Sequence, residues 1–383
     1  MNLNNRILPG QTIGIIGGGQ LGRMMAISAK EMGFNVAVLD PTPNSPCGQI
    51  ADLEITANYD DLNAIKELAS HSDVITYEFE NIDYEALTWL EENANLPQGS
   101  KLLKITQDRG TEKNAIQKSG LQVASFFLVD NESDLHDAVE RIGVPAVLKT
   151  RRGGYDGKGQ FVLKKQDDIN EASKLLKVGP CILEGWVTFQ KEISVIVIRN
   201  SAGEIKTFPV SENVHVDNIL HQSIVPARIP VEIQFLAKEM AMKLAAEFDL
   251  VGTLAVEMFV TSEGEIFINE LAPRPHNSGH YTIDACETSQ FEQHVRSVCN
   301  WPLGETTLLR PVVMTNILGE HVQSLLESVS QFSHVKVHLY GKKEAKVKRK
   351  MGHVTVLGNT IEDALEKTNS LHIWNIPQEV IGG

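Results

Sequence analysis

The segment from Ala146 to Gln160, Ala-Val-Leu-Lys-Thr-Arg-Arg-Gly-Gly-Tyr-Asp-Gly-Lys-Gly-Gln, restricts this chain more than any other. A short apolar strand signal over 146–148 ends in Lys149. The loop that follows holds Gly153, Gly154, Gly157 and Gly159. Glycines at this density let the backbone take positive φ and bring its N–H groups close to an anion. Arg151, Arg152 and Lys158 sit in or beside the loop, where they favour a polyphosphate that a chain of net charge −14 otherwise repels. A β-hairpin with a solvated basic tip reads the same in isolation. The segment therefore speaks to function only together with the rest of the chain.

The 383 residues are enough for two or three domains with substantial cores. The acidic balance argues against a nucleic-acid binder, which needs a net basic face. It requires instead that any anion site be locally basic. Cys47, Cys181, Cys286 and Cys299 are scattered without a C-x-x-C pair, the usage of buried thiols in a reducing compartment. No apolar run approaches the roughly 20 residues of a membrane span, and the first residues lack a signal-peptide pattern. A cytoplasmic protein is expected.

The apolar residues 12–16 lead into Gly17-Gly18-Gly19-Gln20-Leu21-Gly22, then a helical run over 23–32 and a second strand over 34–39 closed by Asp40. This βαβ unit satisfies G-x-G-x-x-G with an acidic residue about 20 positions on. A dinucleotide site, a structural turn, or another ligand at the same helix N-terminus all remain open. Alternation continues with a helix over 61–70, a strand over 74–77 and a helix over 84–93. The strand delivers Glu78-Phe79-Glu80-Asn81 at its carboxyl end, where open α/β sheets bind ligands, although a solvated strand end is the plainer expectation for either carboxylate. Pro97, Gln98 and Gly99 mark a boundary.

A polar helix is expected over 106–120, opened by Asp108 and Arg109, with Lys113 one turn on. A strand over 121–129 and a helix over 134–142 precede the central loop. After it come a strand over 161–163, a helix over 169–176 and a strand over 181–183 delivering Glu184-Gly185-Trp186-Val187. Residues 192–199 and 204–210 alternate as an antiparallel pair, and 233–248 form a long helix. Two further strands, 252–260 and 266–271, carry Glu257 among apolar neighbours and Asn269-Glu270 at the far end. Carboxylates flanked by buried positions need cations. A structural ion pair would serve, as would Mg²⁺, which combines carboxylate with phosphate oxygens. The polyphosphate loop upstream favours the metal.

The loop Ala272-Pro273-Arg274-Pro275-His276-Asn277-Ser278-Gly279-His280-Tyr281 concentrates a guanidinium, two imidazoles and hydroxyls off a rigid strand. Arg274, with its planar fork, suits carboxylate or phosphate; His280 is expected to be structural. The tail from 308 is strand-rich (312–318, 335–339 and 354–357). It carries the basic run Lys346-Val347-Lys348-Arg349-Lys350-Met351-Gly352-His353, a solvated charge run or a phosphate-binding arm.

Taken in order, Gly-Gly-Gly-Gln-Leu-Gly at 17–22, Glu-Phe-Glu-Asn at 78–81, Asp108-Arg109, the 154–160 loop, Glu-Gly-Trp-Val at 184–187, the 269–280 stretch and the closing basic run resemble one family. It is that of 5-(carboxyamino)imidazole ribonucleotide synthetases, ATP-grasp ligases of purine biosynthesis, and the likeness covers nearly the whole chain. Lys158 departs from it, standing where many relatives have arginine. The resemblance implies a mixed α/β and α+β fold. Its parts would be a Rossmann-like domain (1–104), ATP-grasp lobes (105–305, with a mobile lobe about 124–186) and a small C-terminal β domain (306–383), assembled as a homodimer.

The resemblance also implies ATP, bicarbonate and 5-aminoimidazole ribonucleotide as substrates. For ATP it implies Arg109, Lys149, the loop Gly154-Tyr155-Asp156-Gly157-Lys158-Gly159-Gln160, Glu184, Gly185, Trp186, Val187, Glu192, His215, Asn269 and Glu270. Glu257 and Glu270 would hold Mg²⁺. Gln20, Glu78, Tyr155, Lys158, Arg274, Arg349 and Lys350 would face the ribonucleotide, and Asp156, Arg274, His276 and Ser278 would serve the chemistry. The first glycine turn then holds no NAD. The competing expectation is another ATP-grasp carboxylase or acyl-phosphate ligase, biotin carboxylase-like or formyl-phosphate-using.

Overall fold

The computed structural model of the chain describes residues 6–154 and 157–374. Strands β1 (Thr12–Ile16), β2 (Asn35–Asp40), β3 (Leu53–Thr56) and β4 (Val74–Tyr77) form a parallel sheet in the order β3-β2-β1-β4. Helices α1 (Gln20–Glu31), α2 (Leu62–Ser70) and α3 (Tyr84–Asn93) connect or follow them. Near-continuous apolar strands such as β2 suit a sheet covered on both faces. Asp61 and Asp83 start α2 and α3 by accepting backbone N–H groups of the first turn.

The helix expected over 106–120 is the second of a pair, α4 (Lys101–Thr106), which sequence reading does not assign, and α5 (Arg109–Lys118). Asp108 separates them, because its carboxylate accepts from Thr111 N as the N-cap of α5. A lobe follows, built from β5 (Phe126–Val129), α6 (Glu132–Ile142), β6 (Ala146–Thr150), β7 (Gln160–Leu163), α7 (Ile169–Ala172) and β8 (Cys181–Gly185), its antiparallel sheet ordered β5-β8-β6-β7. The strand expected from 121 starts only at Phe126. The helix expected over 169–176 tightens after Ala172 into a 3₁₀ turn, Ser173–Lys177.

The remaining strands are β9 (Lys191–Arg199), β10 (Ile205–Thr207), β11 (Ser211–Val216), β12 (Ile219–Val225), β13 (Gly252–Val260), β14 (Ile266–Ala272), β15 (Val312–Leu318), β16 (Val335–Leu339) and β17 (Lys350–Leu357). They make one sheet, ordered β14-β13-β9-β11-β12-β15-β17-β16, with β10 also on β9. The pairing of β12 with β15, Gln222 opposite Thr315, carries the C-terminal strands straight on from the central ones. Helices α8 (Val231–Glu247), α9 (Thr282–Ala285), α10 (Gln290–Val298), α11 (Val322–Glu327) and α12 (Ile361–Asn369) cover it or link its strands. Sequence reading assigns nothing to β3, β11, β12, α10 or α12. All four cysteines are buried and unpaired. Among the described residues no helix is long and apolar enough to cross a membrane.

Candidate active site

The lobe sheet and the large sheet enclose a cavity of about 620 Å³. On the lobe side it is lined by Lys149 at the end of β6, Gly157 and Lys158 of the loop, and Gln160 opening β7. Glu184, Gly185, Trp186 and Val187 line it where β8 ends. Across the cavity stand Glu192 of β9, Glu257 of β13, and Asn269 and Glu270 of β14. Gln20, Glu78, Arg274, His276, His215 and Lys350 complete the far end. The glycine loop and the carboxylate pair therefore share one chamber.

On the large sheet, Glu270 and Glu257 are directly opposite on neighbouring strands. Like charges so placed repel, and each has a nitrogen partner: Arg109 Nη1 lies 2.9 Å from Glu270 and His276 Nε2 lies 3.0 Å from Glu257. Burial alone would raise the Glu257 carboxyl, but His276, His215 and Arg274 hold it down to about 2. Two hard carboxylate oxygens with an amide beside them fit Mg²⁺, which takes its other ligands from phosphate and water. Among the described residues no group of three His, Cys, Asp or Glu could hold a metal ion by itself.

On the lobe side, Lys149 Nζ contacts Glu184 Oε2 at 3.0 Å, and the buried Lys113 reaches the same oxygen at 3.3 Å. Burial pushes the Glu184 carboxyl up, but the two lysines prevail and hold it at about 2. Its other oxygen, Oε1, is buried with no hydrogen-bond partner among the described residues. The backbone N–H groups of Gly185 and Trp186 donate to Ser125 O and Pro145 O, so neither is left to read a base edge. Beneath this wall, Phe189 and Phe259 stack at 4.6 Å and 12°. Asp108 binds Arg151, with Oδ1 accepting from Nε and Nη2 at 3.2 and 3.0 Å, while Arg152 stands 3.7 Å away. These two arginines of the basic loop thus hold its base to α5.

The G-x-G-x-x-G turn is filled by the chain itself. Glu78 accepts from Gly19 N and, at 2.6 Å, from Gly22 N. Asp40 accepts from Gly18 N at 2.7 Å. A side chain at Gly17, where φ is +107°, would meet Glu78 Cγ at 2.3 Å. A carboxylate therefore occupies the helix N-terminus where a dinucleotide pyrophosphate would lie.

Four expected residues do not line the cavity. Gly154 and Gly159 shape the loop, and Gly154 O accepts from Arg109 Nη2 at 3.3 Å. Ser278 is fully buried behind His276, its Oγ 2.9 Å from Nδ1. Arg349 is exposed and donates to Glu344 O, whereas its neighbour Lys350 opens β17 and lines the cavity. Tyr155 and Asp156 lie outside the described residues. His280 is buried against His353, as a structural residue should be. Sequence reading missed Phe189, Phe259, Asn218 and the buried Lys113. Phe259 had a usable signal, since it lies two residues beyond Glu257 and so shares its face of β13.

Three family models match consecutive parts of the chain: a ribonucleotide synthetase preATP-grasp domain over 10–107, an ATP-grasp domain over 114–291, and a phosphoribosylaminoimidazole carboxylase C-terminal domain over 312–367. With the two-walled cleft, they define an ATP-grasp ligase. The N5-carboxyaminoimidazole ribonucleotide synthase of Bacillus subtilis (strain 168) is 60% identical over 92% of both chains. A solved ADP complex of an N5-carboxyaminoimidazole ribonucleotide synthetase superimposes with a TM-score of 0.96 at 64% identity, covering 97% of this chain and 99% of that one. The Aspergillus clavatus synthase in complex with ADP and 5-aminoimidazole ribonucleotide gives 0.90 at 33% identity, over 98% and 100%. The chain belongs to the N5-carboxyaminoimidazole ribonucleotide synthase family.

Proposed function

We propose that this ligase carboxylates the amine of 5-aminoimidazole ribonucleotide at the expense of ATP, in purine biosynthesis, with bicarbonate as the carbon source. The supporting observation is the single cavity that joins Lys149 and the glycine loop to Glu257 and Glu270, and runs on to Gln20 and Lys350. Lys149 and Arg109 neutralise the triphosphate, with the loop from Gly154 to Gln160 closing over it. The unpartnered Glu184 Oε1 accepts from the adenine amino group, and Phe189 and Phe259 offer the ring an apolar floor. Glu192, whose Oε2 lies 2.8 Å from His215 Nδ1, takes the ribose hydroxyls. Glu257 and Glu270, beside Asn269, would hold Mg²⁺, which when bound would supply screening of the phosphate charge.

A bicarbonate oxygen attacks the γ-phosphorus and ADP departs, leaving carboxyphosphate. The ribonucleotide amine then attacks its carboxyl carbon, the C–O bond to phosphate breaks, and the amine proton is lost to a base, for which Asp156 is the candidate. Arg274, held by Glu80 at 3.0 Å, and His276 orient the anhydride, which a wet site would hydrolyse. Gln20, Glu78 and Lys158 flank the ribonucleotide, and Lys350 meets its 5′-phosphate, with Arg349 a longer-range cation. Four buried thiols suit work in the reducing cytoplasm, and family resemblance suggests a homodimer. ADP release should depend on both bicarbonate and the ribonucleotide. Glu270→Ala should cut it about a hundredfold or more, given several kcal/mol of charge stabilisation. Release that requires biotin or formate instead would overturn the reading.

A further inference from the structure

His276 reaches the cavity from a turn whose support lies in the sheet beneath it. Glu270, Glu257, Ser194 and Ser211 form one row across β14, β13, β9 and β11, each opposite the next. Directly opposed residues point to the same face, so Ser194 stands next to Glu257 on the cleft side of the sheet. It is 1% exposed. Its Oγ donates to Ser278 Oγ at 2.7 Å and accepts from Asn213 Nδ2 at 3.0 Å. Asn213 Oδ1 in turn accepts from Ser223 Oγ at 3.0 Å.

The direction of this chain follows from its ends. Glu257 accepts only, so the His276 Nε2 that faces it at 3.0 Å carries a proton. The Ser278 backbone N–H donates only and points at His276 Nδ1 from 3.3 Å, so Nδ1 must accept. The Ser278 hydroxyl proton therefore goes to Nδ1 at 2.9 Å, which leaves its oxygen to accept from Ser194. At the other end the Asn213 amide nitrogen can only donate, and with the Ser278 proton spent on Nδ1 the Ser194 proton goes to Ser278. Ser211 Oγ also lies 2.7 Å from Ser194 Oγ and can donate to it, or to Ser194 O at 3.3 Å, so it adjoins the line without lying between Ser194 and His276.

We infer that Ser194 is a positioning residue for the proposed carboxylation. Through Ser278 it holds the His276 ring with Nε2–H set toward Glu257 and Nδ1 set toward Ser278. It touches neither substrate nor metal, and the inference rests on the function proposed above. A carboxylate-oriented imidazole is usually fixed by what its second nitrogen binds, and loss of such a partner costs about 10–100-fold in activity.

Imidazole nitrogen shifts of the ¹⁵N-histidine-labelled wild-type protein should show His276 protonated at Nε2; protonation at Nδ1 would overturn the inference without any variant. Ser194→Ala should lower kcat for ribonucleotide-dependent ADP release about tenfold, leave the KM for ATP within about twofold, and mix the His276 tautomers. Ser194→Thr, which keeps the hydroxyl, should restore both readings, and Ser211→Ala, equally buried but outside the path from Ser194 to His276, should cost clearly less than Ser194→Ala. Equal effects of Ser194→Ala and Ser211→Ala, or an unchanged tautomer and rate in folded Ser194→Ala, would reduce Ser194 to packing. A wild-type protein that fails to carboxylate the ribonucleotide refutes the proposed function instead, and the tautomer measurement still stands by itself.

Discussion

Glu184 shows how much a single side chain does at this site. One carboxylate oxygen serves two lysines, Lys149 at 3.0 Å and Lys113 at 3.3 Å, and all three groups are largely withdrawn from water. Glu184→Gln removes the charge and keeps the shape, leaving two ammonium groups facing each other in a poorly solvated wall. Urea denaturation should show a loss of about 3 kcal/mol or more, as for other buried pairs stripped of one partner. The KM for ATP should rise, because Lys149 loses its orientation. Lys149, Glu257 and Glu270 are legible in sequence, since a charged residue ending an apolar strand is unusual and demands a partner. Lys113 is not, because a lysine in a polar helix gives no sign of being buried until β8 and β14 close over it. The same blindness hid the fates of Arg151 and Arg152: composition marks them as cations near a phosphate loop, and only Asp108 decides that they brace the loop.

Among the elements, the turn from β1 into α1 is the clearest. Its glycine spacing is that of a dinucleotide site, yet Glu78, arriving from β4, binds the same N–H groups. A methyl group at Gly22 would stand 2.4 Å from Gly17 O, a backbone atom that cannot step aside. Gly22→Ala should therefore lower the melting temperature by the equivalent of about 2 kcal/mol or more. Glu78→Ala should cost about 1–3 kcal/mol through unpaired buried N–H groups, and fluorescence titration should show no gain of NAD affinity, as Asp40 still occupies Gly18 N. Elements set by local patterns were readable: the apolar strands β1, β2 and β4, and helices α2 and α3 with their aspartate caps. The hairpin of β11 and β12 was not, because its cleft face is polar, with Ser211, Asn213 and His215 in alternation. That alternation is the signature of a strand lining a site, which hydrophobic periodicity alone passes over.

For the whole molecule, buried histidines bind the parts together and set an acid limit. His294 of α10 contacts Thr76 Oγ1 of β4 at 2.7 Å and accepts from Thr253 N of β13 at 3.2 Å, tying the first domain to the central sheet. Burial pulls its pKa down to about 3, and that of His221 to about 4; burial also pulls His280 and His353 well below the usual range. Because the folded values lie below the unfolded one of about 6.5, the unfolded chain binds the extra protons as pH falls. Stability should hold above about pH 6.5 and decline below it, each such histidine contributing up to about 1.4 kcal/mol per pH unit until its folded value is reached. Urea midpoints measured from pH 8 to 4 check this, and His294→Gln should flatten the decline by one histidine's share.

The order of motifs along the chain by itself determined the class of fold, the family resemblance and the opposition of a phosphate loop to a carboxylate pair, because each rests on short-range patterns of charge, glycine and strand apolarity. What it could not determine is which polar groups the protein spends on itself. The filling of the glycine turn by Glu78, the bracing of Arg151 by Asp108, the sheet that runs unbroken from β14 to β16 and the hydroxyl line from Ser194 to His276 all join residues far apart in sequence. A hydrogen bond or a strand pair has no signature until folding brings its two halves to contact distance, so these were decided by tertiary structure alone.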